Sequence, residues 1–238
     1  MRRPVFFDLD DTLFDWPTAV ERTLEKMQKE FLSVLGGLPM PVMRDLFLSL
    51  SRLVFEAPAF RAFSLADQRR ARFEMFLSNL GKPFDKALEL NDFYYANFVA
   101  EGALLPYAVE TLKEVGDTND LGILSNGIRA VQIKKLEQNG LVGAFKWIVF
   151  SEDAQVTKPS AGIFEFAARK AGVSDGAPLP VFVGNDLIKD MWGAKRAGWR
   201  TIWFNPGGDD AHEYSDFIDK EVEALSAVPA ALGELMER

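Results

Sequence analysis

Short uninterrupted apolar runs alternate along this chain with longer stretches in which apolar residues recur at helical spacing. Val5-Phe6-Phe7, Leu121-Gly122-Ile123-Leu124, Trp147-Ile148-Val149-Phe150, Val181-Phe182-Val183 and Thr201-Ile202-Trp203-Phe204 are continuous rather than alternating. A strand covered on both faces has no polar side, so these runs predict buried strands of a parallel sheet. Between them, Ile128 to Asn139 reads as a helix stopped by Gly140. Ser160 caps a second helix running through Phe164 and Phe166 to Gly172, and Asp190 to Ala197 makes a third, ended by Gly198. Strands alternating with helices, joined by right-handed crossovers, predict an α/β fold with a doubly wound parallel sheet.

Residues 15 to about 100 break that rhythm. Asp15-Trp16-Pro17 is a helix entry, and Leu24, Met27, Phe31, Leu46, Leu50, Leu53, Phe73, Phe76, Leu80, Phe93 and Phe98 follow at helical intervals without a strand-like run. An all-helical insert directly after the first strand is expected to form a second, smaller domain. Its hinges fall near Phe14-Asp15 and near Gly102 to Pro106. The expected division is a core of residues 1–14 and 102–238 with a helical domain of residues 15–101.

The polar residues gather at predicted strand ends. Asp8 and Asp10 follow the first strand, Ser125-Asn126-Gly127 the second, and Gly184-Asn185-Asp186 the fourth. Thr157-Lys158-Pro159 lies a few residues past the third. In an open parallel sheet ligands bind beyond the carboxyl ends of the strands, so the four sets converge on one edge. Strand alternation would put Asp8 and Asp10 on one side with Leu9 opposite. Two carboxylates that close repel unless a cation, a proton or helix N-termini offset them, and hard oxygen ligands grouped this way suit a Mg2+-assisted reaction on phosphate.

Composition narrows the classes. With no cysteine and a single histidine, His212, the chain has no thiol nucleophile, no disulfide and no imidazole or thiolate metal cluster. A net charge of −8 speaks against a nucleic-acid polymer or an anionic membrane as partner. No apolar segment reaches signal-peptide or membrane-spanning length, and a cytoplasmic protein is expected.

The constellation resembles the phosphatase branch of the haloacid dehalogenase superfamily. Asp8-Leu9-Asp10-Asp11-Thr12, Ile123-Leu124-Ser125-Asn126-Gly127, Lys158-Pro159 and Val183-Gly184-Asn185-Asp186 through Asp190 match its four motifs in order. The insert sits where some members carry a helical cap. The resemblance implies that Asp8 is a nucleophile forming an aspartyl-phosphate and that Asp10 is the acid and base. It also implies that Ser125, Asn126 and Lys158 bind the phosphoryl group. Mg2+ would lie on Asp8, Asp10 and Asp186. The fourth motif departs from the family pattern, because Asn185 stands where an aspartate is usual, which leaves Asn185 or Asp190 as alternatives to Asp186.

The dehalogenase branch lacks a second aspartate, so Asp10 favours phosphoryl transfer over carbon–halogen cleavage. Gln132, Lys135-Leu136, Gly140-Leu141, Phe145, Ser151-Glu152-Asp153 and Trp203-Phe204-Asn205 resemble the group of pyrimidine 5'-nucleotidases and N-acylneuraminate-9-phosphatases. The expected substrate is a small phosphate ester, first a nucleoside 5'-monophosphate and second a sugar phosphate or phosphoglycolate. A partner-binding protein on the same scaffold, without catalysis, is the alternative of a different class.

Overall fold

A computed structural model describes residues 2–60, 62–174 and 176–236. Six parallel strands, β1 (Pro4–Phe7), β2 (Asp120–Ser125), β3 (Trp147–Phe150), β4 (Val181–Gly184), β5 (Arg200–Phe204) and β6 (Lys220–Val222), form one sheet in the order β3-β2-β1-β4-β5-β6. The order reverses between β1 and β4, both buried along their whole length, and a crevice opens outside the carboxyl ends at such a point. That is where Asp8 and Asn185 emerge. The apolar runs at β1 to β5 register as expected. β6, a three-residue edge strand of alternating burial, carries no such run.

Contacts divide the chain into two compact units, Met1–Asp15 with Ala103–Arg238, and Trp16–Gly102. The second unit is helical: α1 (Trp16–Glu30), α2 (Leu32–Leu35), α3 (Met40–Glu56), α4 (Leu65–Asn79) and α5 (Ala87–Glu101), with two short 3-10 turns. Ser64 caps α4 by accepting the Asp67 N–H. α1 packs on α5 and α3 on α4, around Phe47, Phe73, Phe76, Tyr94 and Phe98.

In the first unit, α6 (Ala108–Thr118), α7 (Arg129–Gln138), α8 (Ser151–Ala154), α9 (Ala161–Lys170), α10 (Gly193–Arg196) and α11 (Val228–Met236) are the crossovers and flanking layers. α9 packs against α10 and β3, and α11 against α6, β5 and β6. Phe6, Phe164, Phe182, Met191, Trp199 and Trp203 fill one face of the sheet. The helix expected over Asp190 to Ala197 begins earlier: a π-helical turn, Leu187–Trp192, precedes α10. Asp186 starts it, its carboxylate accepting the N–H groups of Ile188 and Lys189. Among the described residues no helix is long and apolar enough to cross a membrane.

Candidate active site

β1 ends at Phe7, one residue before the carboxylates. Asp8 continues its register, the Asp8 N–H bonding Val183 O at 2.9 Å, and the chain then turns. The Leu9 carbonyl accepts from Thr12, Leu13 and Phe14, and Asp11 sits at φ 60°. A loop closed on Leu9, rather than strand alternation, therefore sets the relation between Asp8 and Asp10. Leu9 is buried.

Lys158, 3% exposed, lies between two carboxylates: its Nζ is 2.9 Å from Asp8 Oδ1 and 2.7 Å from Asp190 Oδ1. Asp190 is fully buried, and its second oxygen accepts the Asp186 N–H at 3.0 Å. That approach needs a bare backbone on β4, because a Cβ on Gly184 would stand 2.4 Å from Asp190 Oδ2. Burial pushes the Asp8 carboxyl up to about 7; the Lys158 ammonium pulls it down, while Asp190 and Asp10 add to the rise. Burial alone would lower Lys158, but the carboxylates of Asp190 and Asp8 outweigh it and hold the ammonium charged. Burial raises Asp190 as well, against the pull of Lys158.

Ser125, at the end of β2, is buried, and its Oγ accepts from the Gly127 N–H at 3.1 Å and Gln132 Nε2 at 3.0 Å. Asn126 is bonded to the Lys158 backbone. Its Nδ2 donates to Lys158 O at 3.0 Å and its Oδ1 accepts the Lys158 N–H at 2.8 Å. The side chain clamps the Lys158 backbone in place, and each end of the amide keeps room for one further bond.

Asp10 is held from α7, by Lys135 at Oδ1 and by Gln132 at Oδ2, the latter at 2.7 Å. Both partners are buried. Motif spacing did not mark Gln132 and Lys135 as site residues. The signal lay in the helix itself: the buried residues of α7 are Gln132, Lys135 and Leu136, so two polar side chains occupy an inward stripe that is ordinarily apolar.

The acidic motif divides in an unexpected way. The Thr12 hydroxyl donates to Asn185 Oδ1 at 3.3 Å, and Trp203 Nε1 on β5 donates to Asn185 O at 2.9 Å, which ties this residue to the Asp8 loop and to the sheet. Asp186, the metal ligand favoured by its charge, turns to its own helix. Its Oδ1 is taken by two backbone N–H groups, and Lys189 Nζ lies 3.4 Å from Oδ2. Asp190 faces Lys158. Asp186 thus caps its own helix through Oδ1, while Asn185 lies beside the Asp8 loop.

Among the described residues no three His, Cys, Asp or Glu side chains gather as metal ligands. Asp8, Asp10 and Asn185 follow the ends of the paired strands β1 and β4, so the donors offered there are all oxygens: carboxylates, an amide and backbone carbonyls. An all-oxygen set with few charges fits Mg2+, which keeps several waters and needs only one or two carboxylates.

Comparison with known proteins gives the family of the chain. A family model described as haloacid dehalogenase-like hydrolase matches residues 3–198. The chain is 29% identical to the pyrimidine 5'-nucleotidase PynA of Streptococcus pneumoniae, over 90% of this chain and 93% of that protein. It is 30% identical to a ribulose-1,5-bisphosphate 5-phosphatase of Halopiger xanaduensis, over 100% of this chain and 99% of the other. Among solved structures, magnesium-bound YfnB of Bacillus subtilis, whose crystal form reveals interdomain movement, superposes with a TM-score of 0.81 at 22% identity. The match covers 98% of this chain and 99% of that one.

Proposed function

The chain belongs to the haloacid dehalogenase-like hydrolases, and from that membership we propose that it is a Mg2+-dependent phosphatase of small phosphate monoesters, nucleoside 5'-monophosphates first. The observation that carries the reading is Lys158, buried between Asp8 and Asp190, with Asp10 tethered in the same crevice. A carboxylate attacking a phosphate dianion needs its repulsion neutralised and its geometry fixed. Lys158 supplies one fixed positive charge beside Asp8.

An Asp8 carboxylate oxygen attacks phosphorus as the ester P–O bond breaks, giving an aspartyl-phosphate. Asp10 gives its proton to the departing oxygen. Water then attacks the same phosphorus, Asp10 takes its proton, and the bond to Asp8 breaks to release phosphate. The proton taken in this half serves the leaving oxygen of the next turnover. Ser125 binds a phosphoryl oxygen. When bound, Mg2+ would be held by Asp8, the Asp10 carbonyl and Asn185, and would supply Lewis-acid neutralisation of the phosphoryl oxygens. The helical unit Trp16–Gly102 is read as a cap that selects the leaving group.

The nucleoside assignment is supported by the nucleotidase relative, and a second reading, a sugar phosphate, by the bisphosphatase relative. Purified protein is assayed for phosphate release from pyrimidine and purine monophosphates, ribulose phosphates and phosphoglycolate, with Mg2+ or with chelator. The expected result is Mg2+-dependent release, greatest from a nucleotide, with Asp8→Asn retaining less than about a hundredth of the rate. Release from no ester, or chloride release from 2-chloropropionate instead, overturns the reading. A preference for ribulose phosphate replaces only the substrate.

A further inference from the structure

We propose that Gln132 and Lys135 are positioning residues that aim Asp10 and, through Gln132, tie it to Ser125. The inference rests on the phosphatase reading and deepens it. Gln132 is 1% exposed, and its Nε2 donates both to Asp10 Oδ2 at 2.7 Å and to Ser125 Oγ at 3.0 Å. One amide nitrogen has two hydrogens, so it serves both acceptors at once and fixes the distance between them. Lys135, 2% exposed, holds Asp10 Oδ1, and its Nζ stands 4.3 Å from the centroid of Phe14. Held at both oxygens, the carboxylate has its rotation about the Cβ–Cγ bond fixed from α7, an element outside the loop that carries it.

Two further observations show a built arrangement. Gly127 leaves the space Gln132 occupies: a Cβ there would meet Gln132 Nε2 at 1.9 Å and Cδ at 2.5 Å. Ser125 Oγ accepts from Gly127 N–H and from Gln132, which uses both lone pairs of the hydroxyl. Its own proton is then the one group left to offer, so Ser125 is set as a donor to a phosphoryl oxygen. Burying an ammonium and an amide inside a helix stripe costs stability relative to apolar residues. A purely structural helix would fill the stripe with leucine. Placing both polar groups on the acid and base gives the cost a function.

The test separates aiming from mere packing. Gln132→Ala, Gln132→Met, Lys135→Met and Lys135→Arg are made in the wild-type and Asp10→Asn backgrounds. Each is checked for folding by thermal melting, and kcat and KM are measured on a nucleoside monophosphate and on p-nitrophenyl phosphate. In the wild-type background kcat is expected to fall about 10–100-fold on the nucleotide, as for partners that orient a catalytic ligand, with KM changed less. The loss is smaller on the nitrophenyl ester, whose leaving group departs without a proton. In the Asp10→Asn background the Lys135 changes are expected to cost less than about twofold, since the group Lys135 aims is gone, while the Gln132 changes keep only the part of their loss that runs through Ser125. Losses that stay undiminished in that background, or are equal for both esters, overturn the positioning role. Should Asp10→Asn itself penalise both esters equally, Asp10 is not the acid, and the reading on which this inference rests falls with it.

Discussion

At the scale of the residue, the arrangement around Lys158 makes its stability and its chemistry separable. The ammonium is buried against Asp190 and Asp8, and removing one partner of a buried pair leaves the others uncompensated. Lys158→Met is expected to cost about 3–5 kcal/mol by urea unfolding without added metal. Replacing Asp190 as well, in Lys158→Met/Asp190→Asn, should restore most of that, because asparagine keeps the shape that fits under Gly184 and can accept the Asp186 N–H. Neither variant should turn over substrate. A single-variant loss below about 1 kcal/mol, or a double variant no more stable than the single, would show that the charges are not coupled in this way. Residues of this kind were legible from sequence where the type alone fixes the partner, as for Lys158 among carboxylates. The backbone partners of Asn126 and Asp186 were not. An amide or carboxylate at a strand end serves a ligand or the local backbone equally well, and only the fold reveals that nearby N–H groups take the side chain.

At the scale of the element, the strands readable from sequence are those whose apolar content makes them central, and β6 shows what that signal omits. Its three residues sit at the sheet edge, and they are held by a polar device rather than by an apolar run. Asp219, just before the strand, accepts from Thr201 N–H at 2.9 Å and pairs with Arg200 at 3.0 Å and Lys195 at 2.6 Å. Burial alone would raise Asp219, but the hydrogen bonds from Lys195, Thr201 and Arg200, with the charge of Lys195, bring it below the ordinary aspartate value. A carboxyl depressed on folding contributes stability that is complete above its unfolded value and is lost as pH falls through the folded one. Asp219→Asn should therefore destabilise by about 1.5–3 kcal/mol at neutral pH, the range for hydrogen bonds to a charged group. The gap from wild type should narrow as the pH drops below the usual aspartate range. Urea midpoints at neutral and strongly acidic pH check this, and a deficit that is constant or grows toward acid would count against Asp219 as the tie. The same contrast explains α7. Its existence and its stop at Gly140 were readable from spacing, but its inward Gln132 and Lys135 look like surface residues until the helix face is known.

For the whole molecule, the insertion point decides what can be tested. The chain leaves and re-enters the first unit at adjacent places: the Asp15 N–H bonds Ala103 O at 2.9 Å, and Phe14 bridges to Leu104. The inserted unit, whose ends leave from one point, has its own aromatic core of Phe47, Phe73, Phe76 and Tyr94. Replacing residues 16–102 by a short Gly-Ser linker is thus expected to leave a folded α/β unit, because a few residues span so small a gap. The motif residues Asp8, Asp10, Ser125, Lys158, Asn185 and Asp190 all remain in it. If the helical unit selects the leaving group, the shortened protein should still release phosphate from p-nitrophenyl phosphate, at a lower rate because bulk water is no longer excluded. Its ratio of kcat/KM between a nucleoside monophosphate and a simple sugar phosphate should collapse toward one. Dependence on Asp8 and Lys158 should persist. A shortened protein that folds and keeps the full-length preference would place specificity in the loops at the strand ends and end the assignment of residues 16–102 as a selective cap.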